Sequence, residues 1–535
     1  MLCKGIDSMK SFLLATTMSV ALGFGLTGLA SAQDRPRITR TQGEAALEVM
    51  GLMESADDAL SYDRRRHRNG VFTFTNIVVQ VPDAEEGEQK YESIQIGQMR
   101  VASPRLDDNG QVLMYAFEME DISFHEDAAS DSGDVLTIDR LSLEQPNSSM
   151  SADFVNAFTK TNSDFDMSWE NYEFGSFAIE GIHFSAPDDE SVEMAIDRMA
   201  LNDFDQERLG RFELLGFEMN VDSSTGPISF AVSEVSADDF LTSAYSDVMK
   251  AISSEAEEQQ IIAAYQSASA SHQLDMFGSM AVRGLRVALP GMTLTMDALT
   301  ADMASIAGRT VAAADLGSLL LTPKVGHPEG VQLANAIGML GYDELEISMR
   351  SRIVYDEATE RMYSEGDNYI QLNDGFRIEL SQDFTGYQAY LTAMGNMSPS
   401  AGQSEDPEIL FAEMAEMFGP LVVNNVNLRL TDLSILERAI AAGAAAQNQT
   451  PEQMRMGASA MVMLGMASAP SEISPELTSE AASALSAFIA SGGSLIVDMS
   501  PNPVLRLGDY FASFDAKDPD LDPLGLSVRH EPPTQ

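Results

Sequence analysis

Six stretches of the chain share one arrangement of apolar positions, at i, i+2, i+5 and i+7: VFTFTNIVV around Phe72, FEMEDISF at 117–124, FAIEGIHF at 177–184, FELLGFEM at 212–219, MAVRGLRV at 280–287 and LVVNNVNL at 421–428. A strand turns successive side chains to opposite faces, so the second apolar pair falls on the wrong face unless the alternation is reset in between. A β-bulge, which inserts one extra residue, is the expected device. The residue at i+4 is in turn Asn76, Asp121, Gly181, Gly216, Gly284 and Asn425. All are types that tolerate a left-handed backbone, and these six are the candidate bulge residues.

A companion pattern, apolar at j, j+3 and j+5, appears in IGQMRV at 96–101, IDRLSL at 138–143, IDRMAL at 196–201, MDALTA at 296–301 and LGSLLL at 316–321. Three of these run on to Pro104, Pro146 and Pro323, where a residue without an N–H ends a strand. Acidic loops such as PDAEEGE, HEDAASDSGD and SAPDDES lie between the halves. Each unit reads as two strands joined by a solvated turn; an ordinary antiparallel meander accounts for the same strands without giving the repeat a role. Repeated bulges bend strands in one sense. The expected fold class is therefore α+β and β-dominated: an elongated, curved antiparallel sheet of bulged two-strand repeats, with helical insertions and a helical carboxyl-terminal part.

Helical spacing over 43–66 ends in Arg64-Arg65-Arg66, which suits a helix carboxyl end and is the one concentrated positive patch. A longer helical stretch spans about 240–270. Thr450-Pro451-Glu452-Gln453 forms a capping box, and Ser474-Pro475 opens another helix in the same way. Between them MRMGASAMVMLGMASA is apolar but too short to cross a bilayer.

At the amino end, Met9-Lys10 precedes a run from Phe12 to Leu29 without a charge, followed by Ala30-Ser31-Ala32. This is the layout of a secretory signal cut between Ala32 and Gln33, with Met9 as an alternative natural start. A single membrane anchor is the competing reading. The expected division is a signal peptide at 1–32, an amino-terminal helical segment at 33–66 and a β-repeat domain at 67–331. A β plus helix domain at 332–510 and an acidic, proline-containing tail at 511–535 complete it.

Composition narrows the function. The chain has 32 basic and 82 acidic residues, a formal net charge of -50. That excludes a nucleic-acid partner and opposes docking on anionic lipid. At 44% hydrophobic the chain is nevertheless globular. Its one cysteine, Cys3, precedes the apolar run, so the exported chain has no thiol, and the expected location is periplasmic or secreted.

Catalytic motifs are not found. Gly23 to Gly28 fits the dinucleotide fingerprint in letters but lies inside the leader with no strand before it. His67, His125, His183, His272, His327 and His530 are scattered, and His183 is placed on the outward face. Asp518, Asp520 and Asp522 alternate as in a calcium loop, but Pro523 stands where that loop needs glycine and Arg529 where it needs the closing glutamate. The expectation is no enzyme, with no catalytic residue, cofactor or metal. Phe117, Phe124, Phe177, Phe184, Phe212 and Phe217 are the candidate lining of an apolar groove. A closed core made of the same residues is the alternative.

Taken together, the leader, the repeated GI-x-F and IDR-x-x-L signatures, and LRLTDLSILERAI followed by capped Ala/Met helices resemble uncharacterised bacterial envelope proteins. More distantly they resemble AsmA-type proteins. The resemblance spans about residues 70–510 and implies long, curved β-sheets concerned with moving lipid between membranes. AsmA-type proteins keep an amino-terminal anchor, whereas Ala30-Ser31-Ala32 implies release. Three functions follow: a periplasmic protein binding a lipid or other hydrophobic small molecule, a scaffold binding an envelope protein, or a hydrolase without a recognisable motif.

Overall fold

The computed structural model describes residues 35–53, 60–80, 91–126, 135–159, 171–186, 191–224, 226–242, 275–395, 407–467, 474–513 and 520–533. The expected leader, most of the expected helix at 240–270, Asp518 and most of the acidic loops lie outside the described residues. The fold is β-dominated, with 53% strand against 26% helix. Two compact units are distinguished, one of residues 1–246 and 277–289 and the other of residues 247–276 and 290–535.

The first unit holds β1 (Leu60–Arg68), β2 (Val71–Gln80), β3 (Tyr91–Ala102), a separate hairpin of β4 (Arg105–Leu106) and β5 (Val112–Leu113), and β6 (Ala116–Glu126). It continues with β7 (Val135–Glu144), β8 (Phe174–Ala186), β9 (Val192–Phe204), β10 (Arg208–Ser223), β11 (Gly226–Leu241) and β12 (Ser279–Ala288). Apart from the hairpin, each strand pairs antiparallel with the next in sequence. Helices α1 (Arg40–Val49) and α2 (Ser148–Thr159) complete the unit. Thr39 caps α1 in a reciprocal box with Gln42. Gly43 of α1 lies so close to Phe72 of β2 that a Cβ would enter the ring.

The segment 33–66 is therefore not one helix. It holds α1, and the arginine cluster lies on a strand. Tertiary packing overrides the helical spacing: Tyr62 meets Phe74 edge-on at 5.1 Å and His67 lies 4.5 Å from Phe72. The extended chain sets Tyr62 opposite Ile77 and His67 opposite Phe72, which brings both side chains against the rings of β2.

The resetting of the alternation has a different origin from the expected bulge. Asn76, Asp121, Gly181, Gly216 and Gly284 have φ of 53, 54, 63, 60 and 63°. Yet Thr75 faces Gln98 and Ile77 faces Ile96, so Asn76 simply faces Gly97. Likewise Glu180 faces Arg198 and Ile182 faces Ile196, which sets Gly181 opposite Asp197. An inserted residue is needed only when the neighbouring strand keeps its own alternation. Here both strands reset in the same row, and the register is unbroken. The companion j, j+3, j+5 pattern is the same reset seen on β3, β7 and β9. Asn425 behaves differently: it has no positive φ, and the extra residue is its neighbour Asn424, where Asp383 faces Asn425 and Phe384 faces Val423.

The second unit begins with β13 (Met292–Ile306), β14 (Arg309–Pro323), α3 (Pro328–Gly338) and β15 (Leu345–Asp356). Next come β16 (Arg361–Ser364), β17 (Tyr369–Leu372), β18 (Phe376–Thr385), α4 (Tyr387–Gly395), α5 (Pro407–Phe418) and β19 (Val422–Asp432). It ends with α6 (Ile435–Gln447), α7 (Pro451–Ala467), α8 (Pro475–Ser491), β20 (Ser494–Met499), β21 (Leu505–Arg506), α9 (Leu507–Ser513) and β22 (Leu526–Glu531). β16 and β17 both lie between β15 and β18, and β19 carries both β20 and β21. The residues expected as a tail include the end of α9 and all of β22, and β22 pairs with β20 from Ser494↔Glu531 to Met499↔Leu526. Thr450 and Gln453 close the expected capping box, and the Ser474 hydroxyl accepts from the Leu477 N–H.

At the β18–β19 bulge, Arg361 donates to both oxygens of Asp383 at 2.8 and 2.6 Å, and Asn424 donates at 3.0 Å. The Arg361 bond, against an opposing contribution from burial, holds Asp383 below the usual carboxylate range. A depressed folded pKa gives stability that is present above the unfolded value and is lost as pH falls through the folded value. Asp383→Asn is expected to cost about 1 kcal/mol at pH 7. Its melting temperature should fall less than that of the wild type between pH 5 and pH 2, as calorimetry would record.

Candidate functional site

The row in which the alternation resets runs across the first unit as facing pairs: Asp63 with Asn76, Gly97 with Asp121, Asp139 with Gly181, Asp197 with Gly216 and Ser233 with Gly284. In each of the last four pairs a glycine faces a polar residue, and the polar side chain fills the space a glycine Cβ would take. Asp63 and Asn76 instead share a 2.7 Å hydrogen bond. The left-handed residue belongs to β2, β6, β8, β10 or β12, and the residue facing it has no positive φ.

On one side of this row lie Ile77, Ile96, Ile122, Ile138, Ile182 and Ile196, one per strand from β2 to β9, omitting the hairpin. All six are buried, and Phe217 extends the row onto β10. On the other side, facing away from the core, arginines and carboxylates alternate across strands. Glu118, with its side chain 5% exposed, accepts from Arg100 at 2.8 Å and pairs with Arg140 at 2.7 Å. Glu180 lies 3.5 Å from Arg140 and 3.8 Å from Arg198, and Arg198 reaches Glu213 at 2.9 Å. Burial alone would lower the Arg140 pKa, but Glu118 and Glu180 outweigh it and the value is raised. The carboxylates and arginines neutralise one another across the strands. The arginine of the repeated IDR triplet was its visible trace in the sequence. Its glutamate partners lie on other strands and carry no local signature.

The six candidate groove phenylalanines all belong to one apolar cluster on the core face. Phe117 and Phe177 are buried, and Phe154 of α2 closes over them at ring distances of 5.0 and 6.0 Å. Phe124, Phe184, Phe212 and Phe217 are half-buried. The change is clearest along rows: Phe177 is 2% exposed and Ile182 1%, while their counterparts on β10, Phe212 and Phe217, are half-buried. Leu214, Met219 and Phe230 are half-buried as well, with Phe230 edge-on to Phe217 at 5.6 Å. Beside Phe184 and Met194 lies a shallow depression of about 270 Å³, also lined by exposed His183 and Glu218.

In the second unit, rings of Tyr355, Tyr387, Tyr390, Phe418 and Phe511 form a chain at 5.8 to 6.0 Å. Burial pushes the Tyr387 phenol up to about 12. Helix α7 leaves Met456, Met461 and Leu464 exposed at 66, 73 and 74%. Among the described residues no group of three or more His, Cys, Asp or Glu side chains converges to hold a metal. No described helix is long and apolar enough to cross a membrane.

A family of uncharacterised proteins matches residues 369–531, from the first residue of β17 to the last of β22. No curated protein matches the chain.

Proposed function

We propose that the chain is a non-catalytic protein of the bacterial envelope, exported to the periplasm or beyond, that holds an acyl chain or similar hydrophobic ligand on the apolar face of β10 and β11. The observation that supports this reading is the loss of cover along the apolar rows. Side chains that are closed over on β6 and β8 have half-open equivalents in Phe212, Phe217 and Phe230. Apolar side chains left in water forgo about 25 cal/mol per Å², which a hydrocarbon ligand would recover. The lipid-handling role implied by the AsmA-type resemblance agrees with it.

Titration with a fluorescent fatty acid tests the reading. Saturable uptake is expected, with Phe212→Asp weakening it at least tenfold while circular dichroism remains that of the wild type. Absence of uptake, or uptake indifferent to Phe212→Asp, would remove this face as the site. A second reading, a scaffold for an envelope protein, draws on the exposed α7 face. Crosslinking from Met461 to one partner would favour it.

A further inference from the structure

The arginine cluster that sequence spacing assigns to a helix end lies on β1, which pairs only with β2 among the described residues. No other described strand pairs with it, and a strand edge of this kind presents a row of backbone N–H and C=O groups. Along it, side chains divide between the faces, with the alternation reset at Asp63. Tyr62, Arg65 and His67 turn to the core side, where Arg65 approaches Glu44 of α1 at 3.6 Å. Arg64, Arg66 and Arg68 turn to the other side, are exposed, and form no ion pair among the described residues.

This is unusual in a chain of net charge -50, where free carboxylates abound. The reason is positional: on β2 the three arginines face Thr75, Thr73 and Val71, none of which carries charge. Within the same sheet the rule is different. Arg140 lies between Glu118 and Glu180, and Arg198 between Glu180 and Glu213. The outer edge is thus an Arg–x–Arg–x–Arg row that no acidic strand faces among the described residues.

We propose that β1 is a docking edge for an extended acidic segment of a partner protein, added as a further strand with carboxylates at every second residue. Backbone pairing along the edge supplies affinity, and the spacing of Arg64, Arg66 and Arg68 supplies specificity. Three arginines on alternate residues span about 14 Å of strand, so a core of five residues with acids at the first, third and fifth positions meets all of them. The acidic remainder of the chain repels polyanions that lack this register. The interaction does not depend on the hydrophobic-ligand reading, and either can fail alone.

The test is fluorescence anisotropy of the purified full chain with a labelled eight-residue peptide alternating glutamate and threonine. Its comparison is a peptide of equal composition with the four glutamates contiguous. The alternating peptide is expected to bind saturably and at least tenfold more tightly than the contiguous one. Arg64→Glu/Arg68→Glu should weaken it by about 10- to 100-fold, Arg66→Glu alone should weaken it less, and Arg286→Glu, an exposed arginine on β12, should leave it unchanged. The proposal is overturned if the alternating peptide does not bind, if both peptides bind equally, or if the β1 variants bind normally. Binding of phosphatidylglycerol vesicles through the same arginines without peptide binding would likewise overturn it, in favour of an anionic lipid.

Discussion

Gly181→Val is expected to destabilise the first unit by about 3 kcal/mol. Two costs add. At φ 63° a β-branched side chain is forced into a backbone region it resists, and its Cβ runs into the carboxylate of Asp139. For a unit of this size the melting temperature should fall by roughly 6 to 12 °C. A sharper form of the prediction uses the two ways in which the row is built. In one facing pair the left-handed residue is the glycine, Gly181, and the aspartate faces it. In another the left-handed residue is the aspartate, Asp121, at φ 54°, and Gly97 faces it. Exchanging the first pair, Asp139→Gly/Gly181→Asp, recreates the second. Each single change should destabilise, and the exchange should recover stability to within about 1 kcal/mol of wild type, a non-additivity expected only of residues in contact. Thermal melts of the four proteins decide it. Additive losses would mean that the facing pairs are not the unit of the repeat.

Glu118→Ala is the second large effect. Its carboxylate is 5% exposed and joins Arg100 to Arg140, so removing it leaves two partly buried guanidinium groups short of a partner. Breaking a buried ion pair from one side costs about 3 to 5 kcal/mol. The lower end applies here, because Arg100 keeps Glu120 at 3.0 Å and Arg140 keeps Glu180. Glu180→Ala, with a carboxylate 24% exposed and longer contacts of 3.5 and 3.8 Å, should cost less than half as much. Urea titration that ranked the two equally would show that burial of Glu118 is not what gives the ladder its weight.

These two features differ in how far the sequence disclosed them. A left-handed residue restricts its own identity, so Asn76, Asp121, Gly181, Gly216 and Gly284 stand out in their strands at a fixed offset from the apolar pairs. Whether a residue is inserted depends on the neighbouring strand, and no single segment contains that information; hence the bulge expected from one strand becomes a paired reset in two. Asn425 matched the pattern in letters, but its ladder with β18 takes an extra residue at Asn424 instead. Arg64 to Arg66 were misplaced for a related reason. Arginine is a good helix former, and only the rings of Phe72 and Phe74, distant in neither sequence nor space, make the extended form better. β22 has a weak signature because Leu526–Glu531 is only six residues long: Leu526 and Val528 alternate with Ser527, Arg529 and Glu531, but two apolar residues are too few to mark a strand in an acidic, proline-containing stretch. For the groove, the sequence assigned six phenylalanines to one face, but α2 covers Phe117 and Phe177 and leaves the β10 positions half-open. That difference arises from packing between elements far apart in the chain.

The account stands most directly on whether the half-open face carries a ligand. Mass spectrometry of material released from natively purified protein, compared with the Phe212→Asp/Phe217→Asp variant, measures this. The account predicts a stoichiometric acyl-containing molecule in the wild type and its loss from the folded variant. A wild-type protein that releases none and takes up no fatty acid, or a variant that retains the same molecule, would contradict it.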